Sequence, residues 1–210
     1  MKKHLVLALV ALVAAMVLVP AAPAAEKPPI KIGFIAPKTG NFAQFGIDML
    51  DGFKLYLSEI DYTIAGRKVE LIEEDEGANP AIAVTKARKL IQHDKVQLMA
   101  GLLMAAAAYA VAPVAQEAEV PLVVTIAASD DLTQRKASKY TARVSFTGGE
   151  VGHVAGDYAY RKLGWRKVSV IAFDYGWGHE VAGGFQRVFE DLGGQIIQKI
   201  WTPVNTTDFG

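Results

Sequence analysis

The chain has 210 residues, of which 51% are hydrophobic, and its 22 basic and 22 acidic side chains cancel to a formal net charge of +0. That length allows one or two domains with a sizeable core, and the balanced charge, without a basic stripe, argues against a nucleic-acid partner. The sequence contains no cysteine, which excludes disulfides and a lipid-modified cysteine.

The first 25 residues predict a cleaved secretory signal. A basic segment, residues 2–4, precedes an uninterrupted apolar stretch over residues 5–19, and alanine-rich residues 21–25 follow. That order is typical of an export signal, and the stretch is shorter than the roughly 20 residues that a membrane-spanning helix needs. We expect cleavage after Ala24 or Ala25 and a mature protein that is free in a periplasm.

Strand and helix patterns alternate after this segment. The pattern predicts strands at residues 30–36, 69–72, 96–100, 121–126, 140–146, 168–173 and 195–201, and helices around residues 50–60, 80–94, 105–119, 150–163 and 177–192. Leu50, Phe53 and Leu57 recur at the spacing of one helix face. Asn79 can cap free backbone donors and Pro80 suits the first helical position, so they predict a helix start.

Strands that alternate with helices predict an α/β fold with a mostly parallel sheet. The order strand, loop, helix, strand occurs twice, at residues 30–72 and 168–201, which favours two similar lobes. We therefore expect a lobe over residues 26–146 and the start of a second, incomplete lobe over residues 147–210. The last five residues close no helix or strand, so we expect the protein to continue beyond Gly210.

Motifs for catalysis are scarce. No G-x-G-x-x-G follows the first strand, and neither a P-loop nor a G-x-S-x-G elbow occurs. Gly148 and Gly149 instead suggest a hinge or a helix start. The four histidines lack metal-ligand spacing, and the acidic run at residues 73–76 is most simply a solvated loop. We expect no enzyme activity, no metal and no cofactor.

Loops that follow the predicted strands are the expected ligand site, because open α/β sheets bind ligands beyond the carboxyl ends of their strands. Three of these loops lead into helix N-termini, where free N–H groups favour an anion. The loops carry Phe45, Tyr175 and Trp177, whose rings would form apolar walls, although ordinary core packing is an equally good interpretation of each ring.

Several short motifs resemble the branched-chain amino-acid-binding (Leu/Ile/Val-type) family of periplasmic solute-binding proteins of ABC transporters. They occur in the family's order: Ile32-Gly33-Phe34, Thr39-Gly40, Ala43-Gln44-Phe45-Gly46, Glu74-Asp75-Glu76, Asn79-Pro80, Ala100-Gly101, Val120-Pro121-Leu122, Ala127-Ala128-Ser129, Leu132-Thr133, Arg143 and residues 174–178. The resemblance covers the chain after the signal. It implies a two-lobed type I periplasmic binding fold, a small-molecule ligand and an inner-membrane permease as partner.

The resemblance also implies which residues contact the ligand. In the family, the ligand carboxylate is held by residues that match Ala105, Ala106, Ala127 and Ser129. An aromatic residue matching Phe45 lies against the ligand, and one matching Trp177 covers it from the second lobe.

Two departures from the family pattern bear on the ligand. Ala105 replaces a hydroxyl residue, and Gly148 stands where we align the acid that pairs with an amino group, unless Glu150 substitutes for it. A charge-assisted hydrogen bond contributes about 1.5–3 kcal/mol, so its loss disfavours an amino acid. We expect an apolar or aromatic carboxylate, with a branched-chain amino acid next. The alternatives are a ligand-sensing domain of a signalling receptor and, less favoured, an exported α/β enzyme.

Overall fold

The computed structural model describes residues 27–77, 79–204 and 206–209, so the predicted signal at residues 1–25 lies outside the described residues. The strands are β1 (Ile30–Ala36), β2 (Thr63–Ile64), β3 (Arg67–Asp75), β4 (Leu98–Gly101), β5 (Leu122–Val124), β6 (Thr141–Arg143), β7 (Lys167–Phe173) and β8 (Gln195–Thr202). The helices are α1 (Ala43–Glu59), α2 (Pro80–Gln92), α3 (Ala105–Glu117), α4 (Gly148–Arg161) and α5 (Gly176–Asp191).

Two separate sheets organise these elements. One has six strands in the order β2-β3-β1-β4-β5-β6, and the other pairs β7 with β8. All pairings are parallel except that of β2 with β3. We call the six-stranded sheet with α1–α3 lobe one, and α4, β7, α5 and β8 lobe two. The domain division after residue 146 stays a prediction.

Strand β1 lies at the centre of lobe one and is almost fully buried. Phe34, Ile35 and Ala36 are each at most 1% exposed, as expected of a parallel strand covered by helices on both faces. Helix α2 packs very close to this strand, because a Cβ added at Gly33 would lie 2.7 Å from Cδ1 of Leu90. The central sheet is therefore a rigid base for the loops at its carboxyl edge.

Helix starts follow the local chemistry. The Asn79 side chain accepts a hydrogen bond from the Ala81 N–H at 2.9 Å, and Pro80 occupies the first turn, as predicted. Helix α4 begins at Gly148, two residues earlier than predicted, because Thr147 and Glu150 form a reciprocal capping box. Among the described residues, no helix is long and apolar enough to cross a membrane.

Candidate ligand-binding cleft

A cavity of about 220 Å³ lies where the carboxyl ends of the lobe-one strands meet the start of α5. Its lining comes from both lobes: Phe42, Phe45, Leu103, Met104, Ile126, Ala128, Phe146, Tyr175 and Trp177. Five chain segments thus converge on one space, at the sheet edge where open α/β folds bind ligands.

Aromatic rings dominate the wall of the cleft. Phe45 is 55% exposed and Phe146 is 52% exposed, so neither ring is packed in a core. The Tyr175 and Trp177 rings approach from lobe two with their centroids 6.3 Å apart. Covering apolar surface of this kind is favourable by about 25 cal/mol per Å². The wall is therefore suited to a flat apolar group.

The N-terminus of α3 lies beside this cavity: Leu103 and Met104 line it, whereas Ala106 and the 1%-exposed Ala105 follow without lining it. Met104 is the N-cap residue and its side chain caps nothing, so the neighbouring Ala105 and Ala106 offer backbone N–H groups to an external acceptor. The helix dipole also favours a negative charge there. A ligand carboxylate can therefore bind at α3 without a basic side chain.

Glu76 holds the loop that leads into α3. Its carboxylate is 1% exposed and accepts hydrogen bonds from the Leu103 and Met104 N–H groups, both at 2.8 Å. Burial raises the pKa of Glu76 to about 7. The preceding residues Gly101 and Leu102 have φ values of 111° and 67°, which are left-handed conformations that must be held in place. Glu76 therefore fixes the shape of the loop.

The acidic run at residues 73–76 is not a solvated loop, so that interpretation was wrong. Glu73 binds Lys38 and Lys54, whereas Glu74 is 8% exposed and binds two lysines of α2. Asp75 accepts hydrogen bonds from the N–H of Lys38 and the hydroxyl of Thr39. Ion pairs of Glu73 and Glu74 therefore join the sheet edge to α1 and α2, and Asp75 holds the loop that follows β1.

The other expected site residues lie around the cleft without lining it. Ala127 is in the core of lobe one, and its N–H donates to the Leu102 carbonyl. Ser129 is fully buried, and its hydroxyl donates to the Ala105 carbonyl at 3.1 Å. These two residues support the turns that carry the lining. Their role in ligand contact stays a prediction.

Gly148 and Glu150 offer no free carboxylate to the cleft. Oε2 of Glu150 accepts a hydrogen bond from the Thr147 N–H at 2.9 Å, and the residue is exposed outside the lining. A Cβ added at Gly148 would lie 2.8 Å from Cβ of Glu180. Position 148 therefore has no room for an acidic side chain that could pair with the amino group of a ligand.

Sequence reasoning missed several residues of this region. Phe42 directly precedes α1, whose first turn carries Phe45, and Phe146 ends a predicted strand directly before the crossover. Their positions were therefore available from the chain order. Tyr109 and Glu180 meet across the lobes at 2.6 Å. Nothing in the local pattern of either helix signals that contact.

A larger groove of about 700 Å³ lies over the sheet of lobe two. Its lining includes Trp165, Phe173, Val181 and Phe185, and all of the lining residues follow residue 154. A molecule bound there would contact lobe two alone. The smaller cavity is the better candidate site because its walls come from both lobes.

Comparison with known proteins identifies the family. A family profile described as periplasmic binding protein matches residues 29–210. The chain belongs to this family. Among curated relatives, Leu/Ile/Val-binding protein homolog 6 of Brucella abortus is 33% identical over 201 residues, which cover 95% of this chain and 51% of the relative.

Two similar solved structures of family members differ in the ligand that they name. A solute-binding protein from Rhodopseudomonas palustris in complex with 3,4-dihydroxybenzoic acid is 36% identical, with a TM-score of 0.80 over 86% of this chain and 49% of that one. A leucine-binding protein from Thermotoga maritima is 30% identical, with a TM-score of 0.79 over 86% and 51%.

These matches confirm the predicted fold. It is the two-lobed type I periplasmic binding fold, with mostly parallel sheets flanked by helices. The chain spans about half the length of the relatives that it matches, and the second lobe is correspondingly incomplete in it. The relatives named here are binding proteins, not enzymes.

Proposed function

We propose that the protein is the periplasmic solute receptor of an ABC importer and that it captures an aromatic carboxylate between its lobes. The observation that carries this proposal is an aromatic wall that lies directly beside the N-terminus of α3. The ligand's ring would lie between Phe45 and Trp177, and its carboxylate would face the N–H groups of Ala105 and Ala106. An inner-membrane permease is the proposed partner of the closed form.

The size and polarity of the cleft support a small acid. Sites for drug-sized molecules usually measure about 300–1,000 Å³, so a cavity of about 220 Å³ suits a ligand with a single ring. The α3 N-terminus supplies fixed partial positive charge. A neutral ring compound would gain the apolar contacts but would leave these donors unpaired, which costs about 1–3 kcal/mol per buried group.

Within the part of the chain that the structure describes, the arrangement of carboxylates disfavours a free amino acid. An α-ammonium group needs an acceptor, and a buried cation without a partner is strongly unfavourable. Glu150 is committed to capping α4, and Glu180 already accepts two hydrogen bonds outside the cleft lining. The 3,4-dihydroxybenzoic acid that is bound to the Rhodopseudomonas palustris relative has a carboxylate and no amino group, so it would not need such an acceptor. A branched-chain amino acid is the second candidate because the Thermotoga maritima relative is a leucine-binding protein.

Ligand binding can be tested by thermal and chemical unfolding of the full protein with 3,4-dihydroxybenzoate, benzoate, benzamide and leucine. A ligand present at 100 times its Kd should add about 2.7 kcal/mol to the free energy of unfolding. We expect stabilisation by the two acids and much less by benzamide, which has the same ring without the carboxylate. Stabilisation by leucine alone would contradict the proposed ligand class.

A matched pair of variants tests the place of binding. Trp177→Ala should weaken benzoate binding at least tenfold, because the ring lines the cleft from lobe two. Trp165→Ala removes a ring of the same type from the lobe-two groove and should leave benzoate binding unchanged. Because Trp177 lines both cavities, the Trp165→Ala result decides between them, and weaker benzoate binding in Trp165→Ala would move the site to the groove.

A further inference from the structure

A polar contact joins the lobes beside the cleft. The Tyr109 hydroxyl of α3 donates a hydrogen bond to Oε1 of Glu180 in α5 at 2.6 Å. The Asp130 N–H donates to the same oxygen at 3.1 Å. The Tyr109 oxygen in turn accepts from the Asp131 N–H at 2.9 Å. One lobe-two carboxylate is thus held by two separate segments of lobe one.

This contact is partly shielded from water, because Tyr109 and Glu180 are both half-buried. Oε2 of Glu180 has no hydrogen-bond partner among the described residues and is inaccessible to solvent. Burial raises the pKa of Tyr109, so its phenol keeps the proton and donates the hydrogen bond. Burial also raises the pKa of the Glu180 carboxyl. Hydrogen bonds to a carboxylate are about twice as strong as those between neutral groups. Separation of the lobes would break this bond and hydrate both partners.

Glycine at position 148 makes room for the contact. A Cβ there would approach Cβ of Glu180 to 2.8 Å and Oε2 to 3.2 Å. Gly148 also donates its N–H to the Ala128 carbonyl at 2.8 Å, which keeps α4 against the cleft turn. The space left by the missing side chain is therefore filled by the Glu180 carboxylate.

The three partners lie next to the cleft without lining it. Tyr109 is about one helical turn beyond Ala105, Asp130 directly follows Ser129, and Glu180 is three residues beyond Trp177. Movement of α5 away from lobe one would displace Trp177 and Glu180 together, because both belong to the first turns of one helix. The contact is thus mechanically coupled to the cleft.

We propose that Tyr109 and Glu180 form a latch between the lobes that stabilises the closed cleft without touching the ligand. The inference rests on the proposed function, in which closure traps a ligand. In this role the two residues are positioning residues. They slow ligand release, because release requires the hydrogen bond between them to break first.

Ligand kinetics test the latch in the full protein. The probe is 3,4-dihydroxybenzoate, followed by stopped-flow tryptophan fluorescence, for Tyr109→Phe and Glu180→Gln. We expect the release rate to rise about tenfold in Tyr109→Phe while the association rate stays within about twofold, as is usual when a contact of the bound state is lost. Tyr158→Phe removes an exposed hydroxyl from α4 and should change neither rate.

A second measurement does not depend on a ligand. The chain has no cysteine, so Lys68→Cys in lobe one and Lys162→Cys in lobe two, both exposed, can carry spin labels. Pulsed EPR should show longer label separations in the ligand-free Tyr109→Phe protein than in the parent. Unchanged separations together with an unchanged release rate would overturn the latch, even if the variant melted at a lower temperature. If the probe does not bind the parent, the proposed ligand fails, and the label separations still decide the latch.

Discussion

The two lobes bury their strands very differently. In lobe one, five of the seven residues of β1 are buried, whereas β7 and β8 in lobe two contain no buried residue. The difference lies in the neighbours, because β1 has a strand on each side and helices above and below it. A two-stranded sheet is marginally stable by itself. Strand burial in this fold is therefore a property of the assembled sheet, not of the strand's own apolar residues.

The contrast extends to the cleft. Lobe one contributes the Phe45 and Phe146 rings, together with turns that are held by buried contacts such as Glu76 with the N–H groups of residues 103 and 104. Lobe two contributes Tyr175 and Trp177, which are side chains at the start of a helix. Lobe one thus offers a preformed half-site, and lobe two supplies the cover.

The largest expected effect comes from core truncation in the two lobes. In the 210-residue chain, Phe34→Ala should lower the free energy of unfolding by about 3–5 kcal/mol, because it leaves a cavity under the central sheet. Ile171→Ala in β7 should change it by no more than about 0.5 kcal/mol, since Ile171 is 62% exposed. Denaturant titration measures both, and equal losses would remove the contrast between the lobes.

The order of helices and strands could be predicted from the sequence because each element carries its own period. Strands β5 and β6 have three residues each, although patterns of six and seven residues predicted them. Strand β6 lies at the sheet edge and pairs with β5 alone, so the short length of β5 limits the length of β6. The Thr147 and Glu150 capping box was readable from its spacing, and it was missed.

The site was predictable only in part. Phe45, Tyr175 and Trp177 could be placed in one region because open α/β sheets bind ligands beyond the carboxyl ends of their strands. That rule depends on the order of the strands alone. The burial of Glu76 was not predictable from an acidic run, since only the packed sheet edge excludes water there. The contact between Tyr109 and Glu180 spans 71 residues and depends on how the lobes are arranged.

A second prediction compares carboxylates near helix N-termini in the two lobes. Burial raises the pKa of Glu76 to about 7 from an ordinary 4.5, whereas hydrogen bonds from Thr147 lower the pKa of exposed Glu150. A raised pKa stabilises the folded state below the unfolded-state pKa, and this contribution is lost as the pH rises through the folded-state pKa. For Glu76 the loss should total about 3 kcal/mol between pH 4.5 and somewhat above 7.

The matched variant isolates this contribution. Glu76→Gln keeps the shape of the side chain and removes its titration. The free energy of unfolding of Glu76→Gln should therefore rise relative to the parent by about 3 kcal/mol between pH 4.5 and 8. Glu150→Gln should behave in the opposite direction, because its lowered pKa stabilises the parent at neutral pH and loses that effect in acid. A pH-independent difference for Glu76→Gln would show that the carboxylate is not buried in solution.

The smallest expected effect concerns α4 and α5 of lobe two. At Gly152 the two helices approach each other to backbone contact. A Cβ added at Gly152 in α4 would lie 2.2 Å from the Val181 carbonyl oxygen of α5. Gly152→Ala must therefore push the helices apart, at a cost of about 1–3 kcal/mol. Gly183, on the exposed side of α5, has nothing within 4 Å of an added Cβ. Gly183→Ala should stabilise the chain by about 0.5–1 kcal/mol, because alanine favours the helix.

This pair of substitutions separates helix propensity from helix packing, because both exchange the same atoms within one lobe. Opposite signs in chemical unfolding would establish that α4 and α5 are held at backbone contact, so that lobe two moves as one body when the cleft closes. Stabilisation by both substitutions would show that the helices are further apart in solution. In that case Glu180, which faces Gly148 across the same helix pair, would have room to leave Tyr109 without any movement of the lobe.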